Sequence, residues 1–201
     1  MFRLQSKNLL NLTYNWNGTN YSIYDNSLLL MMNFENRSSL GENDTFVRDL
    51  SNYGNNGTVV AGAIWNASGK YGGAYQFDGE TNKSINISSM VIPASGNFSI
   101  AFWEKSTINQ GADTFWTFMS SRNPSGPGYQ GITITQDGLS RSGKLRLQLN
   151  NATSTNQYST GTVNLSDGAW HFVVIVVDRT GNLLNSYDNA KPDIVNTDIS
   201  A

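Results

Sequence analysis

The chain has 201 residues, no cysteine and a formal net charge of −2, with 38% hydrophobic and 14% charged residues. That length and apolar content suffice for an all-β domain with its own core, outside the disordered range. The near-neutral charge with no basic stripe argues against nucleic acid as a partner, and the absence of cysteine excludes disulfides and thiol chemistry. The longest apolar run, residues 172–177, is far below the ~18 residues of a direct membrane span.

Residues 1–26 open the chain without a signal-peptide core, because Leu9-Leu10 is followed at once by Asn11. An export signal is therefore expected outside this sequence. Tyr14, Trp16 and Tyr21 alternate with polar residues around Asn17-Gly18, which predicts a tight β-hairpin. Residues 1–26 are read as this hairpin or connector, and 27–201 as the main domain. From there period-2 alternation dominates and helical periodicity is nearly absent. Residues 27–34 are apolar on both faces and predict a buried strand, followed by a polar loop over 35–43. Short strands are expected at 46–50, 57–60, 73–77 and 84–87. Longer ones are expected at 97–105, 114–120, 130–136 and 144–150, then 162–165, 170–178 and 182–187. The remainder reads as a short polar tail. Many short strands with Gly, Asn and Pro between them predict an all-β, two-sheet antiparallel sandwich of jelly-roll type.

Four stretches carry a family resemblance. They are Asp49-Leu-Ser-Asn-Tyr-Gly-Asn-Asn-Gly-Thr-Val-Val60, Gly69-Lys-Tyr-Gly-Gly-Ala-Tyr-Gln-Phe-Asp-Gly79, Asn97-Phe-Ser-Ile-Ala-Phe-Trp103 and Asp167-Gly-Ala-Trp-His-Phe-Val-Val174. In this order and spacing, over roughly residues 27–188, the chain resembles the laminin-G-like group of the concanavalin A-like lectin/glucanase superfamily. The resemblance implies a jelly-roll sandwich. It also implies about two strands beyond residue 187, so the domain is expected to be C-terminally incomplete, with an open edge that residues 1–26 could pair. Fold alone does not imply function, since this sandwich hosts lectins, hydrolases and adhesive modules.

His171 is the only histidine, so no His/Cys metal site can be assembled, and the resemblance places it in a packed strand. Family 16 glycoside hydrolases carry Glu-x-Asp-x-x-Glu on one strand, which sends acid and nucleophile to one face. The four glutamates here, Glu35, Glu42, Glu80 and Glu104, have no such partners in sequence, so a catalytic role is not expected. The oxygen-rich loop holding Asp49, Asn52 and Asn55 reads as turn chemistry or as a structural calcium site. Strand alternation sends Leu145, Leu147, Leu149, Ile132 and Ile134 to the core. It sends Lys144, Arg146, Gln148, Asn150, Thr133 and Thr135 outward, with Tyr129 or Trp116 able to supply an aromatic. That face reads either as a glycan-binding surface or as an ordinary solvated sheet face.

Asparagine is the compositional outlier. There are 26, and twelve begin Asn-x-Ser/Thr sequons, at Asn11, Asn17, Asn20, Asn36, Asn43, Asn56, Asn66, Asn82, Asn86, Asn97, Asn151 and Asn164. Chance placement of 39 Ser and Thr gives about 5 such acceptor motifs. The excess reads as selection for N-glycans, or as Asn and Ser/Thr meeting at turns; Asn56, Asn151, Asn66 and Asn164 are the candidates. The expected function is a non-catalytic recognition or adhesion module, extracellular or at the cell surface. Its partners would be a glycan or glycoprotein and neighbouring modules of a parent protein. The alternatives are a structural spacer and, more remotely, a glycoside hydrolase relative.

Overall fold

The computed structural model describes residues 13–16, 18–22, 25–60, 62–79, 83–89, 91–93, 95–107, 115–121, 131–137, 143–150 and 156–199. Among them are fifteen strands and one 3-10 turn, Ser38–Leu40, closed by Gly41 at φ 80°. No α-helix occurs among the described residues, so the all-β expectation holds. The chain divides into two compact units, Met1–Val91 and Ile92–Ala201.

The first unit starts with the expected hairpin. Strands β1 (Thr13–Trp16) and β2 (Thr19–Ser22) pair antiparallel, with Tyr14 opposite Tyr21 and Trp16 opposite Thr19. Gly18 takes φ 82°, as a two-residue turn of this kind requires. The pair forms a two-stranded sheet of its own and does not extend another described sheet. Next come β3 (Phe46–Val47), β4 (Gly57–Val60), β5 (Ile64–Gly69), β6 (Gly72–Gln76) and β7 (Ser84–Ile87). Strands β3, β4 and β7 form one antiparallel sheet, and β5 and β6 a hairpin.

Residues 27–34 are not a strand, contrary to their apolar pattern. Ser27 is an exposed turn residue and 28–34 are half-buried without regular structure, tied by Leu50 N–H to Met31 O at 2.8 Å and by Met31 N–H to Asp49 Oδ1 at 2.9 Å. Left-handed φ values of 56° at Phe34 and 51° at Asn36 break the ladder geometry. This segment explains the Gly72-Gly73 pair. A Cβ at Gly73 would run into the Phe34 carbonyl oxygen and the Trp65 indole, whose Nε1–H donates to that same oxygen at 2.8 Å.

The second unit is a sandwich of two four-stranded antiparallel sheets. Its strands are β8 (Phe98–Glu104), β9 (Phe115–Ser120), β10 (Gly131–Asp137), β11 (Lys144–Asn150), β12 (Asn156–Asn164), β13 (His171–Asp178), β14 (Leu183–Asp188) and β15 (Lys191–Asp198). One sheet has the order β12-β11-β10-β9, the other β15-β14-β13-β8. Alternation supplies the core. Ile132, Ile134, Leu145 and Leu147 from the first sheet meet Val173, Ile175, Val177 and Leu184 from the second, all fully or nearly fully buried. Each side chain removed from water contributes about 1.5–3 kcal/mol, which no disulfide needs to supplement.

The expected polar tail is the strand β15. It turns back from β14 through Asn189 and Ala190, at φ 48° and 65°, the left-handed pair of a tight hairpin. The sequence hides this because Ala stands where Gly or Asn is usual. Residues 191–198 therefore form a strand, correcting the expectation of a polar tail there. Pro192, the Lys191 charge and two register shifts suit β15 to an edge position. Side chains stitch it to the other sheet: the Asp193 carboxylate accepts Thr162 N–H at 2.6 Å and Val163 N–H at 3.0 Å, and Ser159 Oγ lies 3.0 Å from Thr197 Oγ1. A Cβ at Gly161 would occupy the space that carboxylate fills.

Candidate functional site

The polar face of β9–β12 is assembled by register. Thr133 stands opposite Gln148 and Ser120, Thr135 opposite Arg146 and Thr117, and Gly131 opposite Asn150. The structure thus brings Thr133, Thr135, Arg146, Gln148 and Asn150 onto one face, while Tyr129 lies outside the described residues. The face is not open to solvent throughout, as alternation alone suggested. Thr133 and Thr135 are each only 8% exposed. Arg146 on β11 lays its guanidinium 4.4 Å from the ring centroid of Phe115 on β9, so the pair crosses the β10 row between them. Phe115 itself is 51% exposed and supplies the aromatic that the sequence assigned to Tyr129 or Trp116. Trp116 has the opposite parity, in register with core-facing Gln136, and its indole nitrogen is buried. Gln148 Nε2 donates to Asn150 Oδ1 at 3.0 Å, and the Asn150 amide nitrogen is buried without a hydrogen bond among the described residues.

The Asp49 loop folds as a cap. Asp49 is 2% exposed. Its Oδ1 accepts Met31 N–H and Ser51 N–H, and its Oδ2 accepts Ser51 Oγ–H and Asn55 N–H, at 2.7–2.9 Å. Four donors fill the acceptor positions of the two oxygens. Burial works against the charge, but these donors outweigh it and hold the carboxyl below its usual range. Asn55 spends its amide on Leu29 O and its carbonyl on Ser89 Oγ, and exposed Asn52 reaches Asn26 instead. The donor set does not fit calcium: the oxygens a cation would need face N–H and O–H groups. No cluster of three His, Asp or Glu able to hold a metal occurs among the described residues.

A third cluster closes one end of the sandwich core. His171 starts the buried row His171, Val173, Ile175, Val177 of β13. Its Nδ1 meets Asp188 Oδ1 at 2.9 Å and its Nε2 meets Asp167 Oδ1 at 3.1 Å. Two carboxylate acceptors require both ring nitrogens to donate, which favours imidazolium. Burial opposes the charge, yet the bonds to Asp167 and Asp188 and the nearby acidic charges raise the histidine above its ordinary value. Directly across from His171 in the ladder is Glu104. It is 7% exposed, and both carboxyl oxygens lack a hydrogen-bond partner among the described residues. Burial pushes it up to about 8, with Asp188 and Asp167 adding to the rise and His171 opposing it. The sequence reading found His171 packed but missed its carboxylate partners. The signal was present: Glu104 shares parity with core-facing Phe98, Ile100 and Phe102.

The sequon candidates separate by environment. Asn66 and Asn164 are exposed, Asn151 lies outside the described residues, and Asn56 is half-buried with its side chain turned inward, Oδ1 accepting Asp49 N–H at 2.9 Å. Asn56 is thus poorly placed for a glycan, because the loop closes around Asp49.

No curated protein sequence matches the chain. A family model of the laminin G type, described as the concanavalin A-like lectin/glucanases superfamily, matches residues 78–200. That match takes in all eight strands of the sandwich, β15 included, and Ser84–Ile87 before them. The chain therefore belongs to the laminin-G-like family of the concanavalin A-like lectin/glucanases superfamily.

Proposed function

We propose that this chain is a non-catalytic recognition or adhesion module of an exported surface protein. It binds a glycan or a glycosylated partner on the β9–β12 face and its rim, and neighbouring modules of the parent chain present it. The observation that carries this reading is Arg146 stacked on half-exposed Phe115, with the Gln148 carboxamide next along the same face. An exposed aromatic next to a guanidinium and carboxamides can stack on a sugar ring while hydrogen-bonding its hydroxyls. Against hydrolysis stands the placement of Glu104, closed into the core end beside His171 instead of lining an accessible groove. The family's membership spans lectins and glucanases, so this placement, not the family, supports the non-catalytic reading.

The test is glycan-array binding by wild type, Phe115→Ala and Arg146→Ala. Either substitution should weaken binding about tenfold or more, from lost stacking and charge-assisted bonds. Binding unaffected by both would move the ligand elsewhere. The second reading, a spacer that positions other domains, is favoured by the burial of Thr133 and Thr135, which withdraws two hydroxyls from the face. No binding to any glycan would select it, and turnover of a polysaccharide would revive an enzymatic role.

A further inference from the structure

Seven sequons have described side chains; at Asn86 the partner is the Ser84 hydroxyl, which fixes no amide orientation, and the other six are Asn36, Asn43, Asn56, Asn66, Asn97 and Asn164. A glycan is carried on Nδ2, so the informative quantity is which end of each carboxamide the fold uses. Backbone N–H groups can bond only to the oxygen, and a carboxylate only to the nitrogen, so these partners fix the amide orientation. Asn43 Oδ1 accepts Thr45 N–H and Thr45 Oγ–H, both at 2.8 Å. Asn66 Oδ1 accepts Ser68 N–H at 2.8 Å, and Asn164 Oδ1 accepts Ser166 N–H at 2.9 Å. In each of these the donor is the hydroxyl residue of the same sequon. Asn97 Oδ1 accepts Thr180 N–H at 3.2 Å and its hydroxyl at 3.3 Å. All four residues are exposed, and none of their Nδ2 atoms makes a hydrogen bond among the described residues. Asn36 is the reverse case: half-buried, at φ 51°, with Nδ2 donating to Asp44 Oδ1 at 2.9 Å. Asn56 is held inward against Asp49.

We propose that Asn43, Asn66, Asn97 and Asn164 are N-glycosylation sites, and that Asn36 and Asn56 stay unmodified in the folded protein. In the transfer, Nδ2 attacks the anomeric carbon of a lipid-linked glycosyl phosphate donor. The N–C bond forms, and the C–O bond to phosphate breaks with its electron pair leaving on phosphate. One Nδ2 proton passes to a base of the transferase. The amide oxygen takes no part, so the anchoring hydrogen bond survives and the glycan projects from the solvent side. At Asn36 Nδ2 would keep one hydrogen for Asp44 while the sugar replaced the other at a half-buried position, and a glycan on Asn56 would meet the packed loop.

The inference rests on the export reading, and its test separates the two. The full chain, fitted with a secretion leader, is produced in a glycosylating eukaryotic host, and site occupancy is read by glycopeptide mass spectrometry. The expected result is majority occupancy at the four exposed sites and little at Asn36 and Asn56. Enzymatic removal of the glycans should leave the melting temperature within a few degrees. Bare asparagine at the four sites, or equal occupancy across all six, overturns the site assignment. Intact mass of the protein from its own source tests export: a bare polypeptide there, with the predicted pattern in the routed protein, rejects export and leaves the site assignment standing.

Discussion

Glu104→Gln should change how the stability of this protein depends on pH. In the native state the Glu104 carboxyl is held at about 8 against an ordinary 4.5, because burial disfavours its charge and Asp188 and Asp167 stand nearby. The folded value lies above the unfolded one, so between pH 4.5 and 8 the native state binds more protons than the unfolded state. Stability must then fall as pH rises through that window. At ~1.36 kcal/mol per pH unit, the ceiling on the loss is about 5 kcal/mol by pH 8. His171 acts in the same direction: its folded value is also raised, so its stabilisation is present below its ordinary value and lost as pH rises through the folded one. Glutamine keeps the shape and cannot ionise. The variant should match the wild type near pH 4.5 and lead it by about 3 kcal/mol at pH 8, allowing for the residual cost of an unpaired amide. Urea unfolding followed by tryptophan fluorescence at pH 4.5, 6.5 and 8 measures this. Other carboxylates contribute to both proteins and cancel in the difference. Parallel stability curves for wild type and variant would refute the claim that Glu104 keeps its proton in the fold.

Three substitutions and one calcium titration test further features of the fold. Gly73→Ala should cost more than about 3 kcal/mol, since its Cβ would meet the Phe34 carbonyl and the Trp65 indole; a near-neutral effect in thermal melts would contradict the close packing of the β5–β6 hairpin. Ala190→Gly should stabilise by about 1 kcal/mol, or roughly 2–4 °C in melting temperature, by relieving φ 65° in the β14–β15 turn; a drop would deny that turn its left-handed geometry. Asp49→Asn should cost about 2–4 kcal/mol, because an amide nitrogen would confront donors from Ser51 and Asn55. Millimolar calcium and chelator should give the same wild-type melting curve, and a calcium-dependent rise would revive a metal role for this loop.

What the sequence determined by itself is local. Strands β4, β7 and β11 fall on the expected residues and most others lie within one or two, though β5 was not expected and β12 starts well before residue 162; alternation of apolar and polar side chains is imposed by the pleat and needs no partner. The Asn17-Gly18 turn was legible for the same reason: two residues decide it. Parity also placed Thr133, Thr135, Arg146, Gln148 and Asn150 on one face, and carried the unused clue that Glu104 joins the core row. What only the tertiary structure decided concerns who sits opposite or above. Arg146 reaches across β10 at Thr135 to Phe115, a contact that no single strand encodes, and Thr133 and Thr135 are buried despite their outward parity. The pairing of Glu104 with His171 joins residues 67 apart through ladder register, and Asp188 arrives from a third strand. Residues 27–34 carry a strand's apolar content yet spend their backbone on Asp49 and its loop, and β15 forms through a turn whose alanine conceals it. Side-chain periodicity reports which face a residue points to; register, crossing side chains and loop closure determine what that face meets, and these are properties of the assembled chain.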